Sequence, residues 1–487
     1  MTRVRLSLCC ALAGVLLAPM TLHAATPAGK APAPAAALDA WSDGATMRLD
    51  YDHVGTARDE AFALDGLRRE GPWAGSRANL VDPLNLGPYR FEVRDRATNL
   101  VLYAQGFASI YGEWETTDEA RSVRRSFHES VRFPFPQRPV QVCLLKRSPD
   151  NAFRELATFL VDPASREVHR EPVATRGRVW TVFENGPPET RIDLLIMGDG
   201  YTGAQMPVFH EDVRRLVEVL FSTPPFRERR KDFNVRAIDT PSEDSGVSRP
   251  SDAVHRRTAL GASYDIFGSE RYVLTLDNRD LREAAAQAPY EFVEILVNGE
   301  KYGGGGIYNL FATSSTRSGS TPYVFVHEFG HHFAALADEY YTSDVAYDTS
   351  TPIVEPWEPN ITALRDPSAL KWKDLADSKT PLPTPWAKDD YEKFSAGIQA
   401  RRRALRARHA PEAEMDSLFK EELSWGKPFL AGQEYGGKVG AFEGAGYRAR
   451  GLYRSSADCI MFTRNTERFC PVCSRGIERV IDWTIGK

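Results

Sequence analysis

The chain has 487 residues, a formal net charge of −5 and 42% apolar residues. That length predicts more than one domain, and the apolar share is enough for ordinary cores. The slightly acidic balance speaks against a nucleic-acid binder, which needs a basic surface.

The chain opens with Arg3 and Arg5, followed by an apolar run from Leu6 to Leu17 and small residues at Ala24 and Ala25. This pattern predicts a signal peptide over residues 1–25, and the run is too short to span a bilayer comfortably. The mature chain is therefore expected in a bacterial periplasm or outside the cell, with no stable membrane insertion. Four cysteines would remain: Cys143, Cys459, Cys470 and Cys473. A disulfide from Cys459 to Cys470 or Cys473 suits an oxidising compartment. The alternative is a second zinc site on Cys470-Pro471-Val472-Cys473, which needs two further ligands that the sequence does not name.

Residues 26–45, rich in Ala and Pro, read as a disordered linker. From 46 to 175 the pattern is β: runs such as Tyr89-Arg90-Phe91-Glu92-Val93 and Val140-Gln141-Val142-Cys143-Leu144 are punctuated by Gly, Pro and Asn. An all-β sandwich is expected there, with its aromatics in the core and nothing catalytic. Residues 176–487 read as a catalytic domain. Arg191 to Met197 is a buried-strand pattern, and Met206, Phe209, Val213, Leu216, Val217 and Leu220 keep helical spacing. Two more apolar runs, Phe233 to Ile238 and Phe292 to Val297, imply an α/β domain with a twisted sheet. The second run leads to Gly303-Gly304-Gly305-Gly306, which lacks the Lys-Ser/Thr of a phosphate loop and is expected to let a substrate backbone approach closely beside an edge strand. Residues 342–440 read as a helical and loop insertion. Its basic run, Arg401, Arg402, Arg403, Arg406 and Arg408, is expected to be a solvated helix face.

The organising stretch is His327-Glu328-Phe329-Gly330-His331. Two histidines four residues apart lie on one helical face, so both imidazoles can grip one ion. Glu328 beside them can take a proton from water activated by that ion. Phe329, Phe333 and Leu336 supply a core-facing stripe, and His332 points about 100° away around the helix. Two histidines leave zinc one protein ligand short. Asp338 follows His331 by seven residues, about 10 Å along a straight helix, so the helix must break near Ala334–Ala337 for it to bind. Asp338 is the leading candidate for third ligand; Glu339 and the distant Glu443 are the alternatives. The losing acid can instead hold a histidine in its metal-binding tautomer.

These motifs carry a resemblance. Gly198-Asp199-Gly200-Tyr201-Thr202, Phe233-Asn234-Val235, Glu243-Asp244-Ser245-Gly246-Val247, the metal motif running on to Leu336-Ala337-Asp338-Glu339-Tyr340, and Cys459-Ile460-Met461 with Phe469-Cys470-Pro471-Val472-Cys473 resemble the IgA-peptidase (igalysin) family of bacterial metallopeptidases. The resemblance covers most of the mature chain. It implies a metzincin-like zinc peptidase fold, with Met461 in a turn beneath the metal. Ala334 and Ala337 stand where the wider metzincin pattern has a glycine and a third histidine. The function expected is an exported zinc endopeptidase hydrolysing protein substrates, with Zn2+ as cofactor, His327, His331 and Asp338 as metal ligands and Glu328 as general base. Tyr340, Tyr447 and Tyr453 are candidates to stabilise the oxyanion. A monomer is expected, and the rivals are a zinc amidase of cell-wall peptides and a non-catalytic binding module with a residual metal site.

Overall fold

The computed structural model describes residues 37–343 and 352–487. The expected signal peptide lies outside the described residues, as do most of the expected linker and residues 344–351 of the expected insertion. Eight strands, β1 (Ser42–Gly55), β2 (Glu60–Pro72), β3 (Tyr89–Asp95), β4 (Val101–Phe107), β5 (Arg125–Pro136), β6 (Val140–Arg147), β7 (Phe153–Val161) and β8 (Val168–His169), form two sheets in the orders β5-β1-β2-β8 and β4-β3-β6-β7. The period-two rule places their side chains: Tyr89, Phe91 and Val93 of β3 turn inward while Arg90, Glu92 and Arg94 turn out. Trp41, Met47, Leu49, Tyr51, Phe133 and Val142 fill the core between the sheets. The linker expectation over 26–45 needs correction at its C-terminal end. Leu38 and Trp41 are buried and β1 already runs from Ser42, because these two large apolar side chains have a core to enter.

The outer face of β1 and β5 is not solvated. Arg48 reaches Glu70 at 3.0 Å and Glu283 at 2.9 Å, and Arg132 lies over the Tyr290 ring at 3.7 Å. Asn278 donates to Ser130 at 2.8 Å. A buried polar seam thus fixes the sandwich against the rest of the chain. The short helix α1 (Ile110–Trp114), capped by Ser109, carries Glu113 to that boundary.

The second part is built on a six-stranded sheet. Its strands β9 (Val179–Phe183), β10 (Ile192–Asp199) and β11 (Phe233–Ile238) are followed, after the small pair β12 (Ala262–Ser263) and β13 (Leu274–Thr275), by β14 (Phe292–Val297), β15 (Gly304–Ile307) and β16 (Phe311–Ser315). The order is β15-β16-β14-β10-β11-β9, parallel through β16, β14, β10 and β11, with antiparallel edges. All of β10 is buried, as a parallel strand covered on both faces must be. The helices here are α2 (Met206–Ser222), α3 (Phe226–Arg229), α4 (Asn278–Ala285) and α5 (Thr321–Ala334). Phe329 and Phe333 of α5 join Phe226, Phe292 and Phe469 in one aromatic cluster.

The insertion contains β17 (Ile361–Thr362) and an antiparallel helix pair, α6 (Lys388–Ala407) and α7 (Glu412–Ala431). Its basic run is paired across that hairpin: Arg401 with Glu421, Arg406 with Glu412, Arg408 with Glu414. The hairpin β18 (Phe442–Ala445) and β19 (Arg448–Arg454) adds to β17, and α8 (Pro471–Thr484) closes the chain. Among the described residues no helix is long and apolar enough to cross a membrane.

The glycine run proves to be a seat for the metal-motif helix. A Cβ on Gly306 would lie 2.2 Å from the Glu328 carbonyl oxygen and 2.9 Å from His331 Cβ, and one on Gly304 would lie 3.0 Å from Glu328 Cγ. Without side chains, β15 lets α5 lie flat against the sheet edge. Gly306→Ala is therefore expected to lower stability by about 1–3 kcal/mol. Gly66→Ala, at a position with nothing within 4 Å of the added atom, should stay within about 0.5 kcal/mol. Urea unfolding of both variants checks this, and an unchanged midpoint for Gly306→Ala would refute the seat.

Candidate metal centre

Helix α5 presents His327 and His331 on one face with their ring centroids 4.7 Å apart. It stops at Ala334, and Ala335 takes a left-handed conformation, φ 53°, without being a glycine. The Ala335 amide donates to the His331 carbonyl at 3.0 Å, and the chain doubles back beside the helix. Asp338 is thereby brought to the two rings: its Oδ1 lies 3.0 Å from His327 Nε2 and 3.3 Å from His331 Nε2.

The other ring nitrogens fix what these atoms are. His327 Nδ1 faces the Ile460 carbonyl at 3.1 Å, and His331 Nδ1 faces the Leu336 carbonyl at 2.5 Å. A ring that donates from Nδ1 presents a lone pair at Nε2. The two Nε2 atoms are 3.1 Å apart, and Asp338 Oδ1 has no hydrogen-bond donor of its own. Three electron-rich atoms thus converge in a mostly buried space. Such a cluster demands a positive charge at its centre. A tetrahedral zinc with bonds of about 2.0–2.2 Å holds nitrogen and oxygen ligands about 3.4 Å apart, close to the separations found. The protein's own substitute is a proton. Burial alone would lower the His331 pKa, but the Asp338 carboxylate carries it up to about 9. Asp338, which burial alone would raise, is held well below the usual carboxylate range by His331 and His327.

Glu328 is half-buried on the cleft wall, within 4.8 Å of ligand atoms of both histidines. Burial pushes its pKa up, against the pull of the neighbouring imidazoles. Glu339, one residue after Asp338, touches neither histidine; it faces Asn360 at 3.1 Å and Cys473 at 3.3 Å. Nor does it hold a histidine tautomer, a task that falls to backbone carbonyls. Glu443 pairs with Lys388 at 2.9 Å and accepts from the Gly451 amide, outside the cleft lining. His332 is a satisfied core residue between the Ile307 carbonyl and the Val293 amide, and burial pushes its pKa down to about 3. Met461 is fully buried, and its sulfur would lie 3.2 Å from a Cβ on Gly330.

The opposite wall of the centre holds a chain of polar groups. Arg271 donates to the Tyr340 hydroxyl at 3.3 Å, that hydroxyl lies 3.3 Å from the Tyr447 hydroxyl, and Tyr447 donates to Asp338 Oδ2. Tyr447 sits at the tip of the β18–β19 hairpin with φ 60°, and its amide donates to the Tyr340 carbonyl at 3.1 Å. Tyr453 lies further along β19, opposite Glu443 and off the cleft lining. The cleft holds about 830 Å³ and is bounded by Gly304, Gly306, Glu328, Asp338, Tyr447 and, from the sandwich, Glu113.

The model of the family IgA Peptidase M64 matches residues 181–481, more than half of the chain. The chain belongs to the IgA peptidase M64 family. The model for the Peptidase M64 N-terminus matches residues 38–158 in addition. No curated protein matches the chain. M64 peptidases are metallopeptidases, so this chain's substrate is a protein or peptide, and its histidine pair, carboxylates and cleft are to be read in that light.

Two residues of this M64 cleft escaped sequence reasoning. Arg271 sits in a polar loop that carries no motif. Glu113 belongs to the part expected to hold nothing catalytic, yet it receives the Tyr272 hydroxyl at 3.3 Å inside the cleft. Burial pushes the Glu113 pKa up to about 7. A carboxyl whose folded pKa is raised gives stability that is complete below its unfolded value and lost as pH rises through the folded one. In metal-stripped protein, wild type should therefore lose roughly 1–3 kcal/mol relative to Glu113→Gln between pH 4.5 and 8. Denaturant unfolding of both proteins across that range reads the difference, and parallel curves would remove Glu113 from the account.

Proposed function

We propose that the chain is an exported zinc endopeptidase of metzincin-like fold, with residues 176–487 as its catalytic domain and the sandwich at 46–175 as one wall of the substrate cleft. The observation that carries this is the convergence of His327 Nε2, His331 Nε2 and Asp338 Oδ1, at 3.0–3.3 Å, beside the Glu328 carboxylate. These three residues would hold the ion. Zinc, when bound there, polarises the scissile carbonyl and makes water a better acid.

The chain's own groups do the rest. Glu328 accepts the proton of the attacking water on its carboxylate and passes it to the departing amide nitrogen. Its raised pKa suits a base that must also give the proton back. The Tyr447 hydroxyl, backed by Tyr340 and Arg271, would turn its proton from Asp338 Oδ2 to the oxygen that gains charge as the carbonyl is attacked. Carbonyls of Ile460 and Leu336 keep the two imidazoles in the tautomer that leaves Nε2 free. Met461, packed against Gly330, gives the histidines an apolar floor.

Glu328→Gln should keep its zinc and lose at least about 100-fold in kcat/KM on casein or immunoglobulin A. Cleavage equal to wild type would overturn the role of Glu328, and activity confined to purified peptidoglycan would favour a cell-wall amidase instead. Tyr447→Phe should lower kcat by about 10- to 1,000-fold with little change in KM. A change confined to KM would instead make Tyr447 a binding residue.

A further inference from the structure

Behind the metal-motif helix lies a second set of metal-ligating side chains that the peptidase reaction does not use. Glu339, Cys459, Cys470 and Cys473 are all buried, and their ligand atoms lie within 4.8 Å of one another. None of the three cysteines is in a disulfide. Cys459 Sγ and Cys473 Sγ are 3.7 Å apart, against about 2.05 Å for a disulfide bond. Around a tetrahedral zinc with bonds of about 2.3 Å, two sulfurs stand about 3.8 Å apart. Glu339 Oε1 lies 3.3 Å from Cys473 Sγ, and its Oε2 is buried with no hydrogen-bond partner.

Backbone amides and a hydroxyl point at the Cys459 and Cys470 sulfurs, as they would at metal-bound thiolates. The Cys470 amide points at Cys459 Sγ at 3.2 Å, and the Cys473 amide at Cys470 Sγ at 3.4 Å. The Ser455 hydroxyl adds a contact to Cys470 Sγ at 3.1 Å. Cys470 caps α8, so the helix's N-terminal dipole bears on Cys470 and Cys473, three residues apart. Asn360 orients Glu339 from outside, donating at 3.1 Å. A disulfide between any two of the cysteines would leave the third thiol beside the Glu339 carboxyl, with Glu339 Oε2 still unpartnered and the Arg454 guanidinium as its neighbouring charge. One divalent ion satisfies all four at once.

We propose that Cys459, Cys470, Cys473 and Glu339 bind a second, structural zinc ion that pins the Asp338–Glu339 segment and the Ile460–Met461 backbone to the start of α8. The site is independent of the peptidase reading: it would hold whether or not the histidine centre is catalytic.

The test is metal and thiol analysis of the exported full-length protein. Wild type should carry two zinc equivalents. His327→Ala should retain one, and Cys459→Ser with Cys473→Ser should also drop to one while keeping the histidine ion. Cobalt substituted into His327→Ala should show an intense sulfur-to-cobalt charge-transfer band in the near ultraviolet. If the cysteine variant does not fold, two measurements on wild type decide. Cobalt-loaded wild type should show the same band. Thiols counted in denatured, chelator-treated protein should be equal with and without prior reductant. Two fewer thiols without reductant, or metal-free His327→Ala with no thiolate band, would overturn the proposal. A histidine centre that binds no ion while the thiolate band persists would sink the peptidase reading and leave this one standing.

Discussion

The arrangement depends on one reversal of direction. Seven residues of helix would carry Asp338 about 10 Å past His331, yet its carboxylate lies 3.3 Å from that ring. The chain achieves this by ending α5 abruptly and placing Ala335 in the left-handed region, where a residue with a Cβ costs about 1–2 kcal/mol. The surroundings hold that geometry by several hydrogen bonds. Asn360 accepts from the Ala337 amide at 2.8 Å and donates to its carbonyl at 2.9 Å. The Glu339 amide donates to the Met461 carbonyl at 2.8 Å, and the Gly446 amide to the Asp338 carbonyl at 2.9 Å. Segments from the insertion, the β18–β19 hairpin and the approach to α8 therefore cooperate to hold one carboxylate. This explains why much sequence beyond the motif is needed to build the centre.

A second constraint acts on the other side of the helix. The α5 backbone must lie close to β15 for its polar face to look into the cleft rather than into the sheet. Gly304 and Gly306 allow that approach, and the aromatic cluster of Phe226, Phe292 and Phe333 holds the helix from its opposite face. The sandwich then completes the cleft. Its polar outer face is buried against α4 and Tyr290 through Arg48 and Arg132, so Glu113 is positioned by a wide interface rather than by its own short helix.

What could be read from the sequence follows from the range of the forces involved. The spacing of His327 and His331 is a local property of a helix, and it located the centre. The period-two strands and the buried run of β10 are equally local, so a β-rich first part and an α/β second part were both legible. Trp41 was missed as core because it stands among Asp39, Ala40, Ser42, Asp43 and Gly44, just after an Ala- and Pro-rich stretch, and an isolated large side chain makes no pattern. The turn at Ala335 was invisible for the opposite reason: nothing at that position favours a positive φ, and the contacts that hold the segment come from residues 23 to more than 100 positions away. Arg271 and Glu113 are placed by docking of whole elements, which no spacing rule encodes. The glycine run was legible as a place of close approach, but the partner that approaches is the protein's own helix.

The choice between Asp338 and Glu339 shows how tertiary structure decides what spacing leaves open. Both acids lie just past the helix, and either chain length suffices to reach back. After Ala335 the chain is neither helix nor strand, and the side chains of Asp338 and Glu339 leave it towards different partners. With the Gly446 and Met461 contacts holding its two edges, one acid faces the imidazoles and the next faces away. Asp338 goes to the cleft, where Tyr447 and two histidines meet it. Glu339 goes to the cysteines. Two adjacent carboxylates therefore serve two clusters on opposite faces of one short segment, and a shift of that segment by one residue would empty both.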